Sequence, residues 1–188
     1  MSMQFANVWE RVADTVGDEI ALINGDKKSS WSSFDSKAAK IATILEEHGL
    51  KSDSKVGIYL HNSNEYLEAQ YGVFKIEGVP INVNYRYKEN ELIYLLDNAD
   101  AEAVFFQGCY ADRIKAIKDQ LPKIKVYIQV DDGTEPLMQG AIDFENSISS
   151  SKEQKRFNRT EENIYMLYTG GTTGMPKGCL LYTSDAAD

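Results

Sequence analysis

The period changes along the chain predict an α/β fold, a mainly parallel sheet with helices on both faces. Three observations carry this. Short apolar runs of strand length, such as KVGIYL from Lys55, AEAVFFQ from Ala101 and KVYIQV from Lys125, alternate with segments whose apolar residues recur at helical spacing. Such alternation implies parallel strands joined by crossover helices, which then cover both faces of the sheet. The last run, IYMLY from Ile164, leads straight into a glycine-rich segment. Ligands of open parallel sheets lie beyond the carboxyl ends of their strands, so this junction is a candidate site.

The elements follow in order. Phe5, Val8, Trp9, Val12 and Val16 fall on one face of an amphipathic helix. IALINGDKKSSW reads as a hairpin turning at Asn24-Gly25, because both residue types tolerate positive φ. Ser32 opens the next helix, with Asp35 three residues on as an approximate capping box. Phe34, Ala38, Ile41, Ala42 and Leu45 form its buried stripe, and Gly49 stops it. KVGIYL is a strand, NEYLEAQYGVFKIEG a helix ending at Gly78, and VPINV a strand in which Pro80 indicates a strand start or an edge. KENELIYLLDNA is helical through Leu92, Leu95 and Leu96. AEAVFFQ, DRIKAIKDQL and KVYIQV continue the alternation. DDGTEPLMQG is turn-rich, and SISSSKEQKRFNRTEEN reads as a loop or short helix with a solvated connector.

Composition narrows the classes. The chain has 188 residues, enough for a domain or a domain and a fraction, and is 43% hydrophobic. Twenty basic residues stand against 29 acidic ones, a net charge of −9, with no basic run that would bind a nucleic-acid backbone. Cys109 and Cys179 are the two cysteines, far apart and suited to a reducing cytosol. No stretch approaches a membrane span, and the start has no apolar signal-peptide core. A cytoplasmic location is the expectation, with peripheral membrane contact left open.

YTGGTTGMPKG, Tyr168 to Gly178, concentrates the chemistry. Glycines at 170, 171, 174 and 178 let backbone amides approach a ligand with no Cβ in the way. Thr169, Thr172 and Thr173 add hydroxyls, and Lys177 adds a mobile charge. Successive amides in a tight turn make an anion-binding concavity, and each hydrogen bond to a charged acceptor contributes about 1.5–3 kcal/mol. A flexible turn has similar composition, but glycines, hydroxyls and lysine together at a strand end favour phosphate. A Walker loop is disfavoured, since Pro176 precedes Lys177 and Gly178 follows it. Proline also biases Met175 away from helix, so the loop should not open one.

This segment closely resembles the phosphate-loop signature of the adenylate-forming superfamily of acyl-CoA synthetases, peptide-synthetase adenylation domains and luciferases. That signature reads Tyr-Thr-Ser-Gly-Thr-Thr-Gly-x-Pro-Lys-Gly, and the departure here is Gly170, which keeps the amide and loses a hydroxyl. The stretch HGLKSDSKVGIYLHNSNEYLEAQYGVFKIEGVPINVNYRYKENELIYLLDNADAEAVFF is similar to the family's N-terminal segment, and its part NVNYRYKENELIYLLDNADAEAVFF is most like fatty-acyl-CoA and related carboxylate–CoA ligases. The resemblance runs from about Phe5 to Gly178, with Gly133 to Thr160 too variable to align. It implies an AMP-forming acid–thiol ligase of fatty-acid metabolism that makes an acyl-adenylate from a small-molecule carboxylate and MgATP, then an acyl-CoA thioester. ATP, Mg2+ and coenzyme A are the implied cofactors and co-substrates. Thr169, Gly170, Gly171, Thr172, Thr173, Gly174 and Lys177 would face the β- and γ-phosphates. Non-catalytic nucleotide binding and a peptide-synthetase adenylation domain stay as alternatives.

Other candidates read as structural. His48 sits at a helix end, where a cation favours the dipole. His61 follows a strand and lines the sheet edge, Asp131-Asp132 is a solvated turn, and the tyrosines of NYRYKENELIY are packing residues. The last ten residues, CLLYTSDAAD, leave the family pattern. They translate TGT CTC TTA TAC ACA TCT GAC GCT GCC GAC, which resembles a transposase-end sequencing adapter. The expected organisation is therefore residues 1–178 as a partial N-terminal AMP-binding domain and 179–188 as an adapter-derived tail. Such a fragment is an incomplete N-terminal subdomain. It would lack the downstream magnesium-binding Glu, ribose-binding Asp and C-terminal catalytic Lys, hold no complete catalytic centre and be inactive alone.

Overall fold

The computed structural model describes residues 4–159, 163–169 and 176–182. Its elements run α1 (Phe5–Val16), β1 (Ile20–Asn24), β2 (Lys27–Ser30), α2 (Trp31–Glu47), β3 (Lys55–Tyr59), α3 (Asn64–Lys75), β4 (Val79–Asn82) and α4 (Glu89–Asn98). They continue with β5 (Ala101–Gln107), α5 (Ala111–Ile117) between two 3-10 turns, β6 (Val126–Val130), β7 (Ala141–Asp143), α6 (Phe144–Ser150), β8 (Ile164–Thr169) and β9 (Lys177–Tyr182).

Seven strands form one sheet in the order β7-β6-β5-β3-β4-β8-β9. Every neighbouring pair is parallel except β8 and β9, which are antiparallel. Alternate side chains feed opposite faces, as the strand period requires. Ala103 and Phe105 of β5 join a core with Ile41, Leu45, Val73 and Phe144 from α2, α3 and α6. Val104 and Phe106 join the other core, with Leu92, Leu95, Ile114 and Ile117 from α4 and α5. The fold class expected from the sequence is the one observed.

A third cluster explains the N-terminal segment. Trp9 of α1 meets Phe34 at 5.7 Å, Tyr71 edge-on at 4.9 Å and Phe74 at 6.0 Å between ring centroids. Pairs of this kind contribute about 0.5–1.5 kcal/mol beyond burial. They fasten α1 and α2 to α3, while the β1–β2 hairpin lies outside the main sheet and packs through Leu22.

Several local expectations shift by a residue or two. The hairpin turns at Gly25-Asp26, because Asn24 pairs with Lys27. Gly25 has φ +58° and Asp26 does not have positive φ, the pattern of a turn with glycine in its first central position. The α2 cap is Ser30, whose Oγ accepts from the Ser33 amide at 3.3 Å. Ser32 instead donates to the Gly17 carbonyl at 2.9 Å, and Asp35 is taken up by a charge cluster described below. Gly49, at φ +77°, does end α2, with the Gly49 amide on Glu46 and the Leu50 amide on Leu45. His48 is the C-cap there, its Nδ1 2.8 Å from the Ile44 carbonyl.

At the end of α3 the left-handed residue is Glu77, φ +56°, not Gly78. Gly78 is needed for space, since a Cβ there would lie 2.9 Å from Val73 and 3.1 Å from the Ser54 carbonyl. Pro80 is second in β4, an interior strand, so the edge alternative fails and the strand-start one holds. Its missing amide is harmless because β8 begins pairing with β4 only at Ile81. The segment from Ser147 is the short helix with a connector of the sequence reading, since α6 ends in it at Ser150, but the connector is not wholly solvated: Arg159 in it is buried.

Candidate nucleotide-binding edge

The carboxyl ends of β3, β4, β5 and β8 open on one edge of the sheet, as parallel pairing requires. β3 continues into α3, which packs on one core, while β4 and β5 continue into α4 and α5 on the other. Connections therefore leave toward opposite faces beside β3, the arrangement that opens a ligand crevice in such sheets.

β8 brings the candidate loop to this edge. It pairs with β4 through Ile81↔Met166 and Asn82↔Leu167. On its other side β9 runs back along it, with Thr169 opposite Lys177 and Tyr168 opposite Gly178. The sequence-predicted residues Thr169 and Lys177 are thus ladder partners at the mouth of the hairpin, and the described chain resumes as a strand, β9. Gly170, Gly171, Thr172, Thr173 and Gly174 lie outside the described residues. Pro176 is buried and Lys177 exposed. Gly178 has a packing reason of its own: a Cβ there would sit 3.2 Å from the ring of Tyr168.

β8 is gripped from both sides. Tyr168 donates to Asn98 Oδ1 of α4 at 2.9 Å, and burial raises the pKa of its hydroxyl. Tyr165 lies 6.4 Å from Phe74. Burial, then the neighbouring Tyr165, pushes the Tyr66 hydroxyl up, so it stays a neutral donor to Asn82 Oδ1 at 3.1 Å.

An aromatic and cationic rim lies at the ends of β3 to β5. His61 Nε2 is 2.7 Å from the Tyr110 hydroxyl, and the His61 ring is 5.0 Å from that of Tyr85. The Tyr59 hydroxyl donates to the Tyr87 carbonyl at 2.8 Å and accepts from Arg113 at 2.8 Å. Burial pushes the Tyr110 hydroxyl up to about 12. The guanidiniums of Arg86 and Arg113 lie over Tyr85 and Tyr110 at 5.0 and 5.5 Å. Tyr59, Tyr87 and Tyr110 are buried, as packing residues are, but Tyr85 is 40% exposed. The sequence reading missed the two arginines, whose only signal was their position just past strand ends. Asp132 ties two loops together, accepting from the Cys109 amide at 3.1 Å and the Thr134 amide at 3.1 Å. Among the described residues no group of three or more His, Cys, Asp or Glu could hold a metal. No helix among them is long and apolar enough to cross a membrane.

Comparison with known proteins agrees with this fold. The family model described as AMP-binding enzyme matches residues 9–187. A 3-oxocholest-4-en-26-oate–CoA ligase of Rhodococcus rhodochrous is 37% identical over 183 residues, covering 96% of this chain and 33% of the relative. A medium/long-chain-fatty-acid–CoA/3-oxocholest-4-en-26-oate–CoA ligase of Mycolicibacterium smegmatis is also 37% identical, with the same coverage. Among solved structures, an anthranilate CoA ligase in complex with anthranoyl-AMP superimposes with a TM-score of 0.87 at 21% identity, over 98% of this chain and 35% of its own. A Mycobacterium tuberculosis fatty acyl CoA synthetase gives 0.81 at 17% identity, over 97% of this chain and 35% of its own. The chain spans about a third of the length of these relatives. With a family model covering nearly its whole length and CoA ligases as relatives, the chain belongs to the AMP-binding enzyme family.

Proposed function

We propose that this chain is the N-terminal part of an ATP-dependent carboxylate–CoA ligase of the fatty-acyl class, and that Thr169, Gly170, Gly171, Thr172, Thr173, Gly174 and Lys177 hold the β- and γ-phosphates of ATP. The observation that carries the reading is the pairing of Thr169 with Lys177 at the carboxyl edge, at the two ends of a glycine- and threonine-rich segment. Carboxylate attack on the α-phosphorus builds charge on the departing pyrophosphate. Donors fixed around it stabilise that charge more than the ground state. Lys177 offsets charge there, and backbone amides at the glycines supply donors without side-chain bulk. Mg2+ would share the phosphate charge, and CoA would accept the acyl group in the second half-reaction. The medium- and long-chain names among the relatives support a fatty acid over an amino acid, and so a CoA ligase over a peptide-synthetase domain. A cytoplasmic location fits these substrates. In this reading residues 1–178 belong to the enzyme and 179–188 derive from an adapter.

The test is carboxylate-dependent ATP–pyrophosphate exchange. The full-length parent, recovered by re-reading its gene past Gly178, should exchange with a fatty acid. The 188-residue chain should stay at background, because a single loop cannot hold both reactants. Exchange by this chain would defeat the fragment reading, and no exchange by the parent with any of a panel of carboxylates would defeat the ligase reading. In the parent, Lys177→Ala should slow adenylate formation at least about tenfold more than thioester formation from pre-made adenylate, as losing one charge-assisted contact implies. Equal losses would refute the role of Lys177.

A further inference from the structure

The connector that precedes β8 is anchored by a salt-bridge cluster, buried at Glu10, Lys75 and Arg159 and open to solvent at Arg156 and Asp14, that the proposed reaction does not use. Arg159 has a side chain only 1% exposed, yet each of its three nitrogens donates a hydrogen bond. Its Nε donates to the Lys75 carbonyl at 2.9 Å. Nη1 donates to Asn7 Oδ1 and Glu10 Oε2, both at 2.9 Å, and Nη2 to Glu10 Oε1 at 3.0 Å. The guanidinium also lies 4.8 Å from the Phe157 ring centroid. Lys75, equally buried, bridges Glu10 and Asp35 at 2.7 Å each. Arg156 closes the cluster on Asp14 at 2.7 Å and Asp35 at 2.9 Å. Three cations thus meet three carboxylates drawn from α1, α2, α3 and the connector.

Arg159 stands five residues before Ile164, where β8 starts. β8 meets β4 over two residue pairs, and its other neighbour, β9, is exposed along its whole length. Its six pairs with β9 tie it to an edge strand, so its pairing to the body of the sheet rests on those two pairs, and among the described residues the forked contact to Glu10 is the nearest salt bridge before the strand. A planar guanidinium fixes two directions at once, which a lysine cannot do.

We propose that Arg159 is a positioning residue, locked on Glu10 and Asn7 of α1, that sets where β8 enters the sheet and hence where its carboxyl end at Thr169 points. The N-terminal helix is then part of the candidate site's scaffold rather than a peripheral cover. The link to phosphate rests on the function proposed above; the anchoring does not.

Hydrogen exchange read by mass spectrometry on the 188-residue chain tests it, with β3 and β5 as internal references. Arg159→Lys keeps the charge and removes the fork, and Asn7→Ala removes one arm only. The expected result is exchange in β8 faster by about tenfold or more in Arg159→Lys, and by less in Asn7→Ala, with β3 and β5 unchanged, since local openings report local contacts. Equal acceleration in β8, β3 and β5 would mean a general stability role and overturn the proposal, and so would unchanged exchange in β8. Inorganic pyrophosphate added to the unmodified chain gives the separate readout. Failure to slow exchange across residues 164–178 counts against the phosphate site, while the variant pattern still decides the anchor.

Discussion

Lys75→Met is the perturbation whose size the structure defines best. The Lys75 side chain is 2% exposed, and its ammonium lies 2.7 Å from both Glu10 and Asp35, which are 7% and 15% exposed. It also stands 4.6 Å from the centre of the Tyr71 ring. Methionine fills similar volume, so the loss is electrostatic rather than a cavity. Removing one partner of a buried pair costs about 3–5 kcal/mol. Glu10 keeps the Arg159 fork and Asp35 keeps Arg156 and the Tyr71 hydroxyl, which places the cost near the low end, about 3 kcal/mol. For a chain of this size that is a midpoint lower by about 6–12 °C.

The pH dependence follows from Asp35. Burial alone would raise its carboxyl, but the hydrogen bonds from Lys75 and Tyr71 and the charge of Lys75, with Arg156 adding, hold it below the ordinary carboxylate value. A depressed folded value means stability that is present at neutral pH and lost as pH falls through that value. Lys75→Met gives up part of this contribution, so its deficit should shrink as pH falls from the ordinary carboxylate value toward the depressed one, where Asp35 becomes protonated and no longer needs a cation. Urea unfolding followed by fluorescence suits the assay, because Trp9 lies 4.9 Å from Tyr71 beside the cluster. A deficit under about 1 kcal/mol at pH 7, or one that grows on acidification, would refute the reasoning.

Gly72→Ala should destabilise by about 1–3 kcal/mol in the same urea assay, because the added Cβ would lie 2.4 Å from Ile41 Cγ2 and 2.7 Å from its Cβ at the α2–α3 contact; an unchanged midpoint would show that the helices part freely. Deleting residues 179–188 removes four of the six β8–β9 pairs but little apolar burial, since Leu180, Leu181 and Tyr182 are 45%, 41% and 37% exposed, and should cost no more than about 1–2 kcal/mol by calorimetry. A loss of several kcal/mol would mark the tail as a selected core element and defeat the adapter reading.

Hydrophobic period made the sheet and its crossover helices legible, because burial on two faces writes itself into every second or every third and fourth residue. Local chemistry was legible only where one arrangement was available. Four serines crowd the start of α2, and any could cap it. The choice of Ser30 was settled by Ser32 reaching back to Gly17, a contact from outside the segment. At the hairpin, residue preference favoured Asn24-Gly25, but the ladder to Lys27 moved the turn one residue on. The short β7 had no readable period over three residues.

The candidate site divides along the same line. Its chemistry is local: glycines, threonines and a lysine past a strand end can be read without any fold. Its placement is not. Glu10 and Lys75 are 65 residues apart, and Glu10 and Arg159 are 149 apart. Each alone looks like an ordinary solvated charge on a helix or connector. Charges of opposite sign become a restraint only when the aromatic packing of Trp9, Phe34 and Tyr71 brings α1 and α2 onto α3 and shuts out water. The order of dependence follows. Apolar packing makes the cluster strong, the cluster fixes the chain entering β8, and β8 carries Thr169 to the edge where Lys177 meets it. A motif reader sees the last step of that sequence, whereas a substitution at Glu10 acts on the middle one.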